Sequence, residues 1–491
     1  MRPSGKKWFA IVALMIVATI MLVSCGGTAE PETVEVTRIV QAEPEVIEVT
    51  RIIEGEVVTE QIEVTRVIEV EVPGEAMESG LAAILNEDVS GSVEMWHFWG
   101  SPVRRNAIRR IVAMCDAALP NIEITETFKP FGDIWTANIA AVAAGSGMPG
   151  VIVEDRPQLP QRAADSISMN LQPFIDRDNL DMSVFWPFTV EEARSPDGDI
   201  YGIPFETDVR VLFWNKQLFQ QAGLDPERPP QTWDELEEFA RELEVQADDG
   251  SWERIGFMPL WNAGPNFWAF TNGWEQVVDG APNYNDPAYI ETLAWIKEWV
   301  DYYGGWQEIQ NFRASYGAAP NDLFMSGAVP MFVDVAGYLS QLSFYRPRVT
   351  LDDESQVNMD WGVAAIPYNT EPGNWSGGFA LSIPEGAPDA DAAWEFIKCA
   401  SSAEGQASWA RDTYAIPTNS ASATVPELMA DPYWVTIMEV MEHSRGSTYV
   451  PEYPNFGQEV NPREEQVWTG DLTPEEAAQE IQEAIDAEIG N

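Results

Sequence analysis

The side chains in this sequence best suited to chemistry are its tryptophans and its carboxylates. There are 20 tryptophans and 79 acidic residues in 491 positions. Five of the tryptophans, Trp99, Trp261, Trp268, Trp274 and Trp375, fall at strand ends or in loops by the pattern of their neighbours. An indole face suits the apolar C–H face of a sugar ring, while the hydroxyls around that ring need planar carboxylate or amide partners. The competing role for each ring is core packing, since tryptophan buries a large area wherever it lies.

Other chemistries find less support. Three cysteines, Cys25, Cys115 and Cys399, and two histidines, His97 and His443, are too few and too scattered for a disulfide scaffold or a clustered metal site. No metal and no cofactor is expected. The patterns G-x-S-x-G and H-E-x-x-H and the P-loop are absent. Gly145, Gly147 and Gly150 match the G-x-G-x-x-G spacing, but they follow a helical pattern and precede a strand. Pyrophosphate needs a helix N-terminus opening directly after a strand, so this match reads as a helix stop and turn. A net charge of -51 repels nucleic acid and anionic lipid headgroups alike.

The elements that must position these side chains begin near Val89. Ser92 to Trp99 reads as a buried strand, Arg104 to Leu119 as a helix, Asn121 to Thr127 as a second strand, Ile134 to Ala144 as a helix and Val151 to Val153 as a third strand. Strands alternating with helices imply parallel βαβ units and an α/β fold. Asp197-Gly198-Asp199 is a tight-turn sequence, Thr232 is a helix N-cap ahead of Trp233-Asp234-Glu235, and Asn215-Lys216 ends a strand and opens a helix. Cys115 and Cys399 sit in helical patterns among apolar neighbours and are expected as free buried thiols.

Ahead of this region lie two segments of different character. Arg2, Lys6 and Lys7 precede an apolar run from Trp8 to Val23, ending in Leu22-Val23-Ser24-Cys25. This run is short for a spanning helix, and its end resembles a bacterial lipobox, which implies diacylglycerol on Cys25. Residues 1–25 are therefore expected to be a lipoprotein signal peptide. Residues 26–88 are glutamate-rich, and the repeat Val34–Val40 recurs as Ile47–Ile53 and Ile62–Ile68. Repeats this short cannot bury a core, so the segment reads as a charged, extended tether, with a docking strand as the alternative.

Further along, Leu171-Gln-Pro-Phe-Ile175, Pro196 to Pro204, Leu212-Phe-Trp-Asn-Lys216, Leu218-Phe219, Ala222-Gly-Leu224, Thr232-Trp-Asp-Glu-Leu236, Asn272-Gly-Trp274, Phe324 to Met331, Gly377-Gly378 and Ala392-Ala-Trp-Glu-Phe-Ile397 occur in that order. Together they resemble bacterial extracellular solute-binding proteins of the maltose-binding type. The resemblance implies two α/β lobes, residues 89–206 with 378–418 and residues 207–377 with 419–491, joined by crossings near Phe205 to Asp208, Gly377 and Ile416 to Asn419. It implies a solute held between them, carried for an ABC permease by a monomer anchored at the outer face of the cytoplasmic membrane. By position it also implies solute contacts at Trp99, Glu154, Asp155, Asp208, Trp261, Asp334, Tyr338 and Trp375. The pattern departs from the family in two places: Pro149 is followed by Gly150 where an acidic residue is frequent, and Glu154 stands where an aromatic is frequent. Maltodextrin specificity is therefore not implied.

The expected solute is a carbohydrate. A polyamine or other cation is the main rival, since acidic residues beside aromatic walls also suit cations. An anchored glycan hydrolase working through two carboxylates stays open because acidic residues are abundant, and so does a glycan sensor.

Overall fold

Branched residues alternating with acidic ones favour extended backbone that pairs edge to edge. In the computed structural model, which describes residues 45–53, 56–64, 84–195, 197–351, 353–446 and 457–489, that tendency produces a hairpin. Strands β1 (Glu45–Ile53) and β2 (Glu56–Val64) pair antiparallel, from Glu45 opposite Val64 to Ile53 opposite Glu56. The expected tether thus contains paired strands. The signal peptide, Cys25 and the first copy of the repeat lie outside the described residues. Contacts divide the chain into two units at Val70, and all the expected solute contacts belong to the second, Glu71–Asn491.

That unit starts with β3 (Gly91–His97), α1 (Pro102–Ala118), β4 (Ile122–Phe128), α2 (Asp133–Ala144), β5 (Val151–Asp155) and β6 (Ile203–Thr207). Next come β7 (Arg210–Asn215), α3 (Trp233–Leu243), α4 (Pro265–Phe270), β8 (Met331–Val335), α5 (Tyr338–Tyr345) and β9 (Trp361–Ala365). The chain then returns through β10 (Gly378–Ser382), α6 (Ala390–Ala400), α7 (Ala403–Thr413) and β11 (Ile416–Pro417). Local signals set several boundaries. Gly145 ends α2 with φ 64°, Asn215 accepts the Leu218 N–H at 3.1 Å, and Thr232 accepts the Glu235 N–H at 3.2 Å.

Two sheets result. The larger has the order β11-β6-β10-β5-β3-β4, with β3 parallel to β4 and β5, and β10 antiparallel to both β5 and β6. The smaller has the order β8-β7-β9, antiparallel throughout. Each carries its own core. Val93, Ile108, Ile152, Phe205, Leu381 and Phe396 belong to one buried cluster, and Val211, Phe213, Leu236, Trp268, Val333 and Ile366 to the other. The chain passes from the first core to the second between Phe205 and Val209 and back between Ile366 and Leu381; α7 then serves both, with Trp409 in the first core and Ala407 and Ala410 in the second, before Ile416 joins the second.

Two expectations need correction. Cys115 on α1 and Cys399 on α6 are joined in a disulfide, with Cα atoms 5.8 Å apart. Each helix turns an apolar face to the same sheet, which brings together two residues 284 positions apart, so neither thiol is free. The tether also ends earlier than residue 88. Buried Lys398 donates to the Ile84 carbonyl at 2.7 Å, and the Asn86 N–H donates to Glu395 at 2.8 Å, so the chain is already fixed to the first lobe at Ile84. A buried ammonium needs acceptors, and Lys398 finds them in Ile84, Asp178 and Glu395.

Candidate functional site

In an open α/β sheet, ligands gather at the C-terminal ends of the parallel strands. Here β3, β4, β5 and β6 run in one direction and end at one edge, which is also where β6 leaves for the second lobe. In the second lobe Val335 pairs with Arg210 and Asp334 with Val211, so the end of β8 lies beside the start of β7. The two edges meet across the first crossing.

Arg210 organises this junction. Its Nη1 donates to Asp208 Oδ1 at 2.5 Å and its Nε to the Asn262 carbonyl at 3.3 Å. The guanidinium lies 4.8 Å from the Phe267 ring and 5.9 Å from the Trp375 ring, which pack edge to face. Asn262 holds a left-handed backbone, φ 60°, and its Nδ2 donates to Asp334 Oδ2 at 3.1 Å. Burial pushes Asp334 up to about 6, opposed by its bond from the Val335 N–H and by Arg210. On the first lobe, burial pushes Asp155 up to about 7 against the pull of Arg156, with Glu192 and Asp208 adding to the rise. Three carboxylates, one guanidinium and two rings from separate segments therefore share one polar, aromatic-walled junction.

Behind it lies a closed network. Arg156, fully buried, donates from Nε to Glu192 at 2.5 Å, from Nη1 to the Glu206 carbonyl at 2.9 Å, and from Nη2 to the Gly377 carbonyl at 2.6 Å. It thereby ties the end of β5 to two crossings at once. The Thr207 hydroxyl donates to the same Gly377 carbonyl at 2.8 Å. Gly378 follows with φ 127°, and a Cβ there would stand 2.3 Å from the Glu206 carbonyl, which is why a glycine pair marks this return. Glu206 is buried and accepts the indole N–H groups of Trp99 at 3.2 Å and Trp409 at 2.5 Å. Burial raises the Glu206 carboxyl, with Arg104 the main opposing charge.

The residues expected from sequence thus separate. Asp155, Asp208, Asp334 and Trp375 come to the junction. Trp99 is buried against Trp409 with centroids 4.4 Å apart, and its one polar atom is engaged by Glu206. Glu154, one residue before Asp155, points to the opposite face of the sheet, where it is fully buried against Arg162 at 2.6 Å and pushed up to about 7 by that burial. Trp261 is buried and stacks on Phe312. The Tyr338 hydroxyl donates to Asp322 at 2.9 Å. Sequence reasoning missed Arg210, Asn262, Phe267 and Arg156. Arg210 had a readable signal: a charge heading the apolar strand Val211 to Trp214, two residues after Asp208 and so on the same face. Arg104 of α1 lies close to the second lobe, since a Cβ on Gly337 would stand 2.8 Å from its Nη2. Among the described residues no group of three or more His, Cys, Asp or Glu side chains could hold a metal.

Comparison with known proteins gives the same architecture. The model for bacterial extracellular solute-binding proteins matches residues 110–434. The sn-glycerol-3-phosphate-binding periplasmic protein of Escherichia coli strain K12 is 23% identical over 429 residues, covering 82% of this chain and 93% of that protein. The solved structure of CpMnBP1 with mannotriose bound is similar with a TM-score of 0.69 and 26% identity, over 81% of this chain and 99% of that one. Maltose-bound MalE3 of T. maritima shares the fold at TM-score 0.66 and 20% identity, over 81% and 99%. With two α/β lobes, a junction of polar and aromatic side chains between them and a family match across most of its length, this chain belongs to the bacterial extracellular solute-binding protein family.

Proposed function

We propose that the chain is the extracytoplasmic solute-binding subunit of an ABC importer, that its solute is a carbohydrate, and that Cys25 carries the lipid holding it at the membrane. The observation that carries the carbohydrate reading is the composition of the junction: Asp155, Asp208 and Asp334 accept hydroxyl protons, the unengaged N–H groups of Arg210 donate, and the Phe267 and Trp375 rings offer apolar faces. The bound sugars of the similar solved structures support it. A polyamine would meet the carboxylates favourably but also the guanidinium of Arg210, and a phosphate ester would face three carboxylates. A neutral polyol suits both charges. In this reading the lobes, residues 89–206 with 378–418 and 207–377 with 419–491, close on the solute about the three crossings, and the monomer then delivers it to a permease.

A thermal-shift screen over neutral sugars, polyols, diamines and sn-glycerol-3-phosphate tests this, because a ligand that binds only the native state raises its stability. The expected result is a rise of melting temperature with neutral sugars alone. A rise with diamines or the phosphate ester and none with any sugar overturns the carbohydrate reading and leaves the importer reading standing.

A further inference from the structure

Arg210 and Trp375, the guanidinium and the indole of the junction, come from segments that share no sheet. Arg210 opens β7, and β9 ends at Ala365 opposite Val211, one residue short of it. Trp375 belongs to a two-residue strand, Asn374–Trp375, paired with Ser444–Arg445. A strand N–H and carbonyl left over at the end of a ladder need partners from elsewhere.

Asn374 supplies both. Its Nδ2 donates to the Arg210 carbonyl at 2.7 Å, and its Oδ1 accepts the Arg210 N–H at 3.1 Å. One side-chain amide thus makes the pair of bonds that a neighbouring strand residue would make. Asn374 is 1% exposed, so water does not compete for either bond. The chain on both sides of it is fixed as well. The Ser376 N–H donates to the Arg445 carbonyl at 2.7 Å. Gly373 lies against the end of α4, where a Cβ would stand 2.6 Å from the Phe270 carbonyl, and α4 carries Phe267, the ring that meets Trp375 edge to face. The indole folds over Gly377, where a Cβ would stand 2.9 Å from the indole's benzo edge and 3.6 Å from Asp208 Oδ2. Trp375 therefore sits beside Asp208, and the Asn374 amide joins the backbone of the indole to the backbone of the guanidinium.

We propose that Asn374 is a positioning residue for the solute site: its amide fixes the spacing between the Arg210 guanidinium and the Trp375 indole, so that a solute ring stacks on the indole while one of its hydroxyls accepts from the guanidinium. This rests on the reading of the junction as the solute site. Asn374 itself touches no solute, being buried and bonded to Arg210 through both of its polar groups. Two contacts made by one ligand need both partners held to about half an ångström, which a free loop does not provide.

The test compares the full mature chain with Asn374→Ala, Arg210→Ala and the double variant. Calorimetric titration with mannotriose and with maltotriose reads affinity, and thermal melting reads stability. The fluorine spectrum of protein labelled with fluorotryptophan, with the Trp375 signal assigned from Trp375→Phe and the Trp409 signal from Trp409→Phe, reads each indole without any solute. Arg210→Ala keeps the backbone groups that Asn374 bonds, so Asn374→Ala lowers the melting temperature equally in both backgrounds. Its effect on affinity does not carry over: roughly tenfold in the parent, less than about threefold once the guanidinium is gone. In the solute-free spectrum Asn374→Ala moves the Trp375 signal and leaves that of Trp409 in place. Asn374→Asp fills the same space but regains a donor only when its carboxyl is protonated, so its affinity relative to the parent recovers as pH falls. An equal loss of affinity in both backgrounds makes Asn374 a general structural residue and overturns the proposal, and so does an unmoved Trp375 signal. If neither trisaccharide binds the parent, the carbohydrate reading loses the support of the similar structures, and the Trp375 signal alone decides the proposal: moved, Asn374 positions the indole; unmoved, it does not.

Discussion

Two places in this molecule are built from the same materials. At one, Trp99 and Trp409 meet over the carboxylate of Glu206; at the other, Phe267 and Trp375 meet beside Arg210 and Asp208. The first is closed. Both indole N–H groups point at the carboxylate, all three side chains are buried, and nothing is left to offer a visitor. The second is open: Arg210 uses Nε and one proton of Nη1 on protein acceptors, Asp208 and Arg210 keep 20% and 16% of their side-chain surface, and Trp375 is half-buried. Aromatic rings beside carboxylates therefore do not define a binding site. What separates the two is whether the polar atoms have already found each other.

The sharpest way to break this comparison is to delete one indole from each place. Trp409→Ala should cost about 3–5 kcal/mol of stability by leaving a cavity and an unpaired buried carboxylate, visible as a large drop in the denaturation midpoint. Trp375→Ala should leave that midpoint within about 1 kcal/mol and weaken the confirmed solute roughly tenfold to a hundredfold. If the two variants behave alike, the distinction between closed and open clusters is wrong.

A second contrast can be read in pH. Asp155 at about 7 and Asp334 at about 6 both lie above an ordinary aspartate, and burial is the first cause for each. At these two carboxyls the folded state therefore binds more protons than the unfolded one between about pH 4 and pH 7, and they make the solute-free protein less stable as pH rises through that window. Asp155→Asn should flatten the fall by up to about 1.4 kcal/mol per pH unit. A solute hydroxyl that donates to the ionised carboxylate should shrink the effect in the bound state. An unchanged slope in Asp155→Asn would show that water reaches the carboxyl freely.

The smallest expected effect concerns the entry point. A chain starting at Ile84 keeps the acceptor for Lys398 and should match the full mature chain in melting temperature and solute affinity. One starting at Val89 lacks that carbonyl and should melt slightly lower with unchanged affinity. Loss of affinity on starting at Ile84 would mean that the preceding segment reaches the solute.

Much of the fold was legible because its signals are local. Thr232 and Asn215 cap helices, Gly145 stops one, and the glycine pair at 377 and 378 marks a return where a side chain would strike the Glu206 carbonyl. The junction was legible in part for a related reason: Asp155, Asp208 and Asp334 stand at strand ends, where an open sheet places its ligands. Trp99 and Trp261 also stand near strand ends or in a loop, yet their fate depends on distant neighbours, Trp409 and Phe312 among them. The same holds for Cys115 and Cys399. Each helix announces its apolar face, and nothing in either helix announces the other.

The order of strands in the larger sheet also bears on how the chain matures as it is exported. Strand β10, which sits between β5 and β6, comes from residues 378–382, and β11 at the sheet edge comes later still. The smaller sheet draws all its strands from one uninterrupted stretch, residues 210–365. The second lobe's sheet can therefore complete while the first still has a gap at its centre, with β5 and β6 presenting unpaired backbone across the vacancy. Assembly of the two sheets runs against the order of synthesis: the sheet that begins first finishes last, and its open strand edges are the part of the nascent chain most in need of shielding until residue 382 has emerged.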